Sequence, residues 1–221
     1  EFLAANLSCN LDNIDEITKL MDDCRKWKIL VLGPDINESF TTFTVNKDGN
    51  IRFGMAGIKG VGSSAVNAII EERDRGGNFK DVFDFVERMP QGSVNRKVLE
   101  NLIYAGAFDG FKEMEREQYF RETGKGGCFI DDLLSYAYKF QNDAMTQGGS
   151  LFGDVAELKP VRPAIPPKAE EVNTMEFLKK EKELVGMYIS SHPLDTFKFE
   201  IGQFATTDLD TLNKVEANMQ A

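Results

Sequence analysis

The stretch FGMAGIKGVGSSAVNAIIEER, residues 53–73, places Gly54, Gly57, Gly60 and Gly62 immediately before a helical pattern. The order GIKGVGSS fits neither the G-x-G-x-x-G of dinucleotide-binding turns nor the G-x-x-x-x-G-K-[ST] of P-loops. It does fit a tight turn between apolar residues at the start of a helix, and the backbone N–H groups of such a turn can face an anion. The chemistry that this spacing predicts is therefore phosphate binding by main-chain groups.

The spacing is that of a helix-hairpin-helix motif. Its predicted DNA-binding residues are Ile58, Lys59, Gly60, Val61, Gly62, Ser63 and Ser64. Gly60 and Gly62 are expected to use positive φ angles and to leave room for a phosphate, while Ile58 and Val61 pack into the core. The two serines begin a helix whose positive dipole end faces the same spot, and Lys59 adds charge. Such a device holds a phosphodiester without reading bases. A glycine-closed helix start without any ligand remains the alternative.

Composition narrows the class of protein. The 221 residues are 42% hydrophobic, which is enough for one or two domains, and the start at Glu1 without a Met predicts a piece of a longer protein. We expect no membrane span, because no apolar run approaches the roughly 20 residues that a span needs. The three cysteines lack the spacing of a disulfide framework or a zinc site, so a reducing cytoplasm fits best.

The charge is unevenly distributed. The formal net charge is −10, yet residues 51–100 carry eight basic against seven acidic side chains. A protein that coats nucleic acid by bulk electrostatics is thereby excluded. The middle of the chain is the least repulsive place for a polyanion to dock.

The elements that must position the hairpin are mainly α-helical, with one short β-hairpin, an extended linker and a terminal helix. The residues Asn13–Trp27 begin with a capping-box spacing and place apolar residues on one face. The alternation around the Asp48-Gly49 pair predicts the β-hairpin. The remaining predicted helices cover residues 63–75, 81–89, 95–105, 112–121, 130–144 and 174–188. The stretch LKPVRPAIPPKAEEV, with four of the seven prolines, predicts an extended linker rather than a packed element.

The surrounding residues resemble a known family. The stretches LVLGPDINESFTTFTV, IRFGMAGIKGVGSSAVNAIIEER, GGNFKDVFDFVER and VNRKVLENLIYAGAFD closely resemble C-family replicative polymerases, the alpha subunits of bacterial DNA polymerase III. EKELVGMYISSHPLD resembles the stretch before the OB domain of that family. The resemblance implies the end of the fingers domain at residues 1–40 and a helix-hairpin-helix DNA-binding domain at 41–144. It further implies a clamp-binding peptide and Pro-rich linker at 145–173, and at 174–221 a helix and a segment leading to the OB domain.

The resemblance also implies partners. Gln147, Ser150, Leu151 and Phe152 resemble the internal peptide with which the family grips the sliding clamp, although one residue more separates the Gln from the Leu than in the commonest form. In such a peptide Leu and Phe bury apolar area in a preformed groove. The alternative is that both pack into the core of their own chain. Double-stranded DNA, the sliding clamp and other replicase subunits are the implied partners.

No catalytic residue is expected in this segment. The resemblance implies a DNA-directed DNA polymerase whose catalytic aspartates and Mg²⁺ belong to the palm, upstream of Glu1, so the segment itself needs no cofactor or metal and should be inactive alone. A helix-hairpin-helix DNA-repair nuclease or glycosylase is the alternative, with Asp74 or Lys80 as its local catalytic candidates. A third possibility is a protein-interaction scaffold without affinity for DNA.

Overall fold

Helices dominate the structure, which confirms the mainly α fold class. The computed structural model describes residues 1–11, 13–124, 126–147, 160–170 and 172–204. Glu1–Ser190 forms one compact unit, and a second unit begins at Ser191. The helices of the first unit are α1 (Phe2–Cys9), α2 (Ile14–Lys26), α3 (Ser63–Gly76), α4 (Val82–Arg88), α5 (Arg96–Tyr104), α6 (Arg116–Tyr119), α7 (Phe129–Gln147) and α8 (Thr174–Val185).

The helices α2, α4, α5 and α8 each begin after a residue whose side chain caps the first turn. Each cap accepts a hydrogen bond from the N–H group three residues later, which satisfies one of the unpaired donors of the first turn. The capping residues are Asn13, Asp81, Asn95 and Asn173. At its other end α8 stops at Val185, three residues earlier than predicted, because Gly186 adopts a left-handed φ of 87°.

A small three-stranded sheet precedes the glycine hairpin in the chain. The predicted β-hairpin is confirmed as β2 (Thr44–Val45) and β3 (Ile51–Arg52), paired antiparallel. A further strand, β1 (Val31–Leu32), pairs parallel with β3, so the strand order is β1-β3-β2. The sequence analysis did not predict β1, since two residues carry no periodic signal.

The prediction of a helix at residues 112–121 is wrong over most of its length. Only Arg116–Tyr119 is helical, and the chain continues into β4 (Glu122–Thr123) and β5 (Gly127–Cys128), which pair antiparallel. A reversal with Gly126 at a φ of 82° joins the two strands. Glycines at this point favour a turn over a continued helix.

Aromatic residues fill the core between the helices. Helix α7 packs against both α4 and α5. Phe85 meets Phe108 edge to face with ring centroids 5.1 Å apart, and Phe83 meets Phe129 at 6.3 Å. These pairs fix α4 against α7 and against the segment that follows α5.

The Pro-rich segment has no helix or strand in its described residues, 160–170, as predicted, but it is packed against the first unit rather than free of it. We call these residues the strap. The Arg162 guanidinium donates to the Glu87 carboxylate (2.9 Å), and the N–H of Ala169 donates to the Glu117 carboxylate (2.8 Å). The carbonyl of Pro166 accepts from the Gln118 amide. Prolines keep the strap extended, and their carbonyls remain available as acceptors.

The second unit is short in its described part. It contains a 3₁₀ turn at Pro193–Phe197 and a helix, α9 (Lys198–Phe204), so α8 is not the last helix of the chain. The N–H of Leu194 donates to Nδ1 of His192 (3.2 Å), and the N–H of His192 donates to the Asp195 carboxylate (2.7 Å). The single histidine therefore caps a turn.

Candidate nucleic-acid interface

The glycine hairpin joins a 3₁₀ turn, Met55–Gly57, to α3. The two apolar residues of the motif, which we call the plugs, are buried as the sequence predicted: Ile58 is 1% exposed and Val61 is 5% exposed. Both belong to the hydrophobic core. The element before the hairpin is thus a single tight turn instead of a regular α-helix, but the plugs that hold the hairpin in place are present.

The other predicted residues form an exposed tip. Lys59, Gly60, Gly62, Ser63 and Ser64 are all exposed. Among the described residues, no partner accepts from the N–H groups of Gly60, Gly62, Ser63 or Ser64. Four donors thus remain available beside the N-terminal end of a 14-residue helix, whose dipole favours an anion. This arrangement can bind one phosphate group through the main chain.

The two glycines have different roles, which corrects the prediction that both use positive φ. Gly60 has a φ of 77°, and a Cβ placed there would lie 2.6 Å from Nδ2 of Asn101. Gly62 has an ordinary extended backbone (φ −72°, ψ 150°), and a Cβ there would point into open space, with Oγ of Ser64 nearest at 3.9 Å. Gly60 is therefore required by the fold, whereas Gly62 leaves space that a ligand can use.

Asn101 is a supporting residue that sequence reasoning missed. It lies on α5, is only 3% exposed, and donates from Nδ2 to the carbonyl of Lys59 at 2.8 Å. Buried amides need such partners. A polar residue among the buried Leu99, Leu102 and Ile103 of the same helix was the available signal.

A second support comes from far along the chain. The N–H of Lys59 donates to the carbonyl of Leu184, near the end of α8, at 2.9 Å. The backbone of Lys59 is thus held on both sides by elements that follow it in sequence. No local pattern could predict this contact, because the acceptor is a main-chain carbonyl whose position depends on the packing of α8.

The charges near the tip favour an anion. Helix α3 has no acidic residue in its first turn. Its acidic residues begin at Glu71, and the buried Glu72 is paired with Arg88, whose Nε lies 3.0 Å from the carboxylate. The N-terminal end of α3 therefore keeps its positive potential although the chain as a whole is acidic.

The candidates for repair catalysis lie away from the hairpin. Asp74 is eleven residues beyond Ser63 on α3, which corresponds to about 16 Å along the helix axis. Lys80 follows the end of the same helix and is exposed. Asp74 therefore cannot reach a phosphate bound at the tip, and Lys80 lies beyond the opposite end of α3, so the geometry does not favour the nuclease or glycosylase alternative.

The predicted clamp peptide lies almost entirely outside the described residues. Gln147 is the last residue of α7, and its side chain is not among those described. Ser150, Leu151 and Phe152 lie outside the described ranges. Both the peptide and its alternative, burial in the core, stay predictions. The chain on either side is described: α7 packs against α4 and α5, and Arg162 of the strap is bonded to Glu87 of α4.

No helix in the described part of the chain combines the length and the apolar character needed to cross a bilayer.

Comparison with known proteins identifies the hairpin region. A family model described as a helix-hairpin-helix motif matches residues 28–119, which include the hairpin, α3 and α5. The matched range contains every predicted DNA-binding residue, from Ile58 to Ser64. It also contains Asn101.

Curated relatives match nearly the whole chain. Proteins named DNA polymerase III subunit alpha from Chlamydia trachomatis, Neisseria meningitidis serogroup B and Pseudomonas aeruginosa are 38%, 37% and 34% identical to it, over 88%, 96% and 92% of its residues. The alignments cover 15%, 18% and 18% of those proteins. The chain thus spans less than a fifth of the length of the relatives it matches.

Proposed function

We propose that this chain is a region of a replicative polymerase that contacts the sugar-phosphate backbone of duplex DNA. The chain matches a segment of proteins named DNA polymerase III subunit alpha. The observation that carries the proposal is the exposed tip of the hairpin, where four N–H groups beside the start of α3 have no acceptor in the part of the chain that the structure describes. The match of the helix-hairpin-helix family model to these residues supports the same function.

The proposed contact involves one phosphodiester group. Its oxygens accept from the N–H groups of Gly60, Gly62, Ser63 and Ser64, and Lys59 supplies a positive charge. Because no base edge is contacted, binding is independent of sequence. One such contact on an acidic chain is weak, and we expect a dissociation constant of roughly 10⁻⁴ to 10⁻⁶ M, the range of non-specific binding.

The full protein would carry out template-directed nucleotidyl transfer in the cytoplasm. In this proposal the palm aspartates and their Mg²⁺ lie outside the segment, which is inactive alone and needs no cofactor. The segment steadies the duplex, and other replicase subunits act together with the polymerase. A repair nuclease would instead need an acid or a lysine at the tip, and Asp74 and Lys80 are remote from it.

Fluorescence anisotropy with labelled duplexes of two unrelated sequences tests DNA binding by the 221-residue chain. Gly62→Val adds a side chain where the phosphate would sit, and its extended backbone suits a β-branched residue. We expect this variant to remain folded and to lose affinity for both duplexes. Gly124→Val is the matched control, since a Cβ at Gly124 meets nothing within 4 Å and one at Gly62 meets only Oγ of Ser64, at 3.9 Å.

Three results would contradict the proposal. Equal affinity of parent and folded Gly62→Val would show that the tip does not contact DNA. Cleavage of the duplex would indicate the repair enzyme. Absence of binding at any salt concentration would indicate the scaffold.

The second proposed partner is a sliding clamp, gripped by Gln147, Ser150, Leu151 and Phe152. What supports it is the family resemblance and the attachment of the chain on both sides of these residues, by α7 before them and the strap after them. Burial of Leu151 and Phe152 would contribute about 1.5–3 kcal/mol each, and hydrogen bonds from Gln147 would add to this gain. Because ordering the peptide offsets part of the total, we expect an affinity of about micromolar, on the order of −8 kcal/mol. When the hairpin binds the DNA that the clamp encircles, the clamp peptide meets the clamp at a high effective concentration, so the two weak contacts give a higher combined affinity.

Calorimetry with a purified bacterial sliding clamp tests this partner. The double variant Leu151→Ala, Phe152→Ala should lose binding. The control is Phe2→Ala, Leu30→Ala, which removes comparable side chains that are 78% and 56% exposed. Equal binding of the parent and the Leu151, Phe152 variant would refute the clamp peptide.

A further inference from the structure

We propose that Asn101 and the C-terminal turn of α8 are positioning elements for DNA binding: they clasp the peptide groups of Lys59 and thereby orient the donors of the hairpin tip. The inference rests on the proposed DNA contact and extends it to two elements that touch no DNA. It also makes the DNA grip depend on α8, which follows the clamp segment and the strap in the chain.

The first observation is the pair of hydrogen bonds on Lys59. Its carbonyl accepts from Nδ2 of Asn101 (2.8 Å), and its N–H donates to the carbonyl of Leu184 (2.9 Å). The two bonds fix the peptide planes before and after Lys59. The second of these planes carries the N–H of Gly60, which is one of the four donors of the tip without an acceptor among the described residues. A hydrogen bond at this place therefore sets the direction of a donor aimed at the ligand.

The second observation concerns the freedom of the tip without the clasp. Gly60 has no Cβ to restrict its backbone angles, so the segment between the plugs Ile58 and Val61 would sample several conformations. The N–H of Val61 returns to the carbonyl of Ile58 (3.0 Å) and closes the turn, but it leaves the peptide of Lys59 unconstrained. Asn101 and Leu184 supply the missing constraints from outside the turn.

The third observation is that α8 is itself firmly docked. The Glu181 carboxylate is fully buried and accepts from the Arg116 guanidinium at 2.7 Å. Burial of Arg116 opposes its charge, but its bonds to Asp109 and Glu181 outweigh burial and raise the pKa of the guanidinium. Phe177 adds ring contacts to Tyr104 at 5.7 Å and to Phe120 at 6.0 Å.

The docking of α8 places its last turn beside the hairpin. Phe177, near the start of α8, contacts Tyr104 at the end of α5. Leu184, near the end of α8, accepts from Lys59, and Asn101 holds Lys59 from an earlier position on α5. The two helices therefore run antiparallel under the tip. A loosened α8 would withdraw the acceptor of the Lys59 N–H without altering any DNA-contacting residue.

Variants of the 221-residue chain test the clasp by DNA anisotropy together with urea unfolding. Asn101→Asp keeps the shape but removes the donor, and Asn101→Ala removes the side chain. We expect each to weaken duplex binding about tenfold, the effect of losing one hydrogen bond that orients the site. Ile103→Val, at a fully buried position on the same helix, is the control for stability and should bind DNA as the parent does.

The part played by α8 is tested with Phe177→Ala, against Met175→Ala on the same helix, which is 40% exposed. Phe177→Ala should weaken binding and speed hydrogen exchange of the Lys59 amide, whereas Met175→Ala should do neither. Exchange at this amide reports the bond to Leu184, and the urea unfolding of the same variant separates a local loss of this bond from a loss of global stability.

The outcomes separate the two proposals. If the parent binds DNA and folded Asn101 variants bind equally well, the clasp is wrong and the DNA contact stands. If Phe177→Ala changes neither affinity nor exchange, α8 is not part of the clasp. If the parent does not bind DNA, the proposed function fails and the positioning role fails with it.

Discussion

Replacing Gly60 by alanine should destabilise the fold far more than replacing Gly62, although the two are separated by one residue. At Gly60 the φ of 77° is left-handed, which costs a residue with a Cβ about 1–2 kcal/mol. The new Cβ would lie 2.6 Å from Nδ2 of Asn101, a buried amide that has to move and lose its bond to Lys59. An unpaired buried amide costs about 1–3 kcal/mol. The sum is a loss of about 2–5 kcal/mol in the free energy of unfolding.

Gly62→Ala provides the matched control. Its backbone is ordinary and its Cβ meets open space, so the expected cost is at most about 1 kcal/mol, the difference between glycine and alanine as a helix cap. Urea unfolding followed by circular dichroism measures both variants. Losses that agree within about 0.5 kcal/mol would refute the reasoning.

A double variant identifies the source of the effect. Asn101→Ala removes the side chain that the new Cβ would strike. Combined with Gly60→Ala it should therefore cost less than the sum of the two single changes. Strict additivity would mean that backbone strain alone accounts for the loss at Gly60.

Two further predictions concern charged pairs. Arg88→Ala removes one of the two ion-pair partners that the described residues give the buried Glu72 and leaves it with the exposed Arg75, so it should cost about 3 kcal/mol. Arg75→Ala should cost less than about 1 kcal/mol, and urea unfolding distinguishes the two variants. The hydrogen bond from Arg96 lowers the pKa of Asp131 to about 2. The pair therefore stabilises the folded protein fully above the ordinary pKa of 3.8, and this stabilisation is lost as the pH falls towards 2. Between these pH values Asp131→Asn should lose less stability than the parent, and an equal loss would argue against this pair.

The local features of the fold were predictable because their signals are local. The spacing of Asn13, Asp81 and Asn95 ahead of apolar residues gives the starts of three helices, since a cap acts on an N–H three residues away. The Asp48-Gly49 pair similarly specifies the turn between β2 and β3. The plugs Ile58 and Val61 follow from a motif only a few residues long.

The remaining features depend on contacts between distant segments. The strap is extended as its prolines require, but its binding to Glu87 and Glu117 depends on where α4 and α6 lie. The two-residue β1 exists because β3 offers it an edge. The error at residues 112–121 has a different origin, because the glycines that follow this stretch are a local signal for a turn.

The charge of the tip leads to a last prediction, on the salt dependence of DNA binding. Lys59 carries the one positive charge of residues 58–64. The acidic residues of α3 begin at Glu71, about 12 Å from Ser63 along the axis, and Glu183 beside Leu184 is paired with Lys180 at 3.3 Å. At 0.1 M salt the screening length is about 10 Å, so the net charge of −10 has little effect at the tip.

Binding should therefore depend on salt as one ionic contact does. For one neutralised phosphate the slope of log K against log salt concentration is about −0.9. Main-chain N–H groups release no counterions, so Lys59→Gln should bring the slope close to zero while part of the affinity remains. Below 0.1 M salt the screening length grows, the acidic groups repel the duplex, and the plot should flatten. Anisotropy titrations in a series of KCl concentrations measure the slope. A slope of about −3 or steeper would show that several cations contact the backbone, and the single-phosphate geometry would then be wrong.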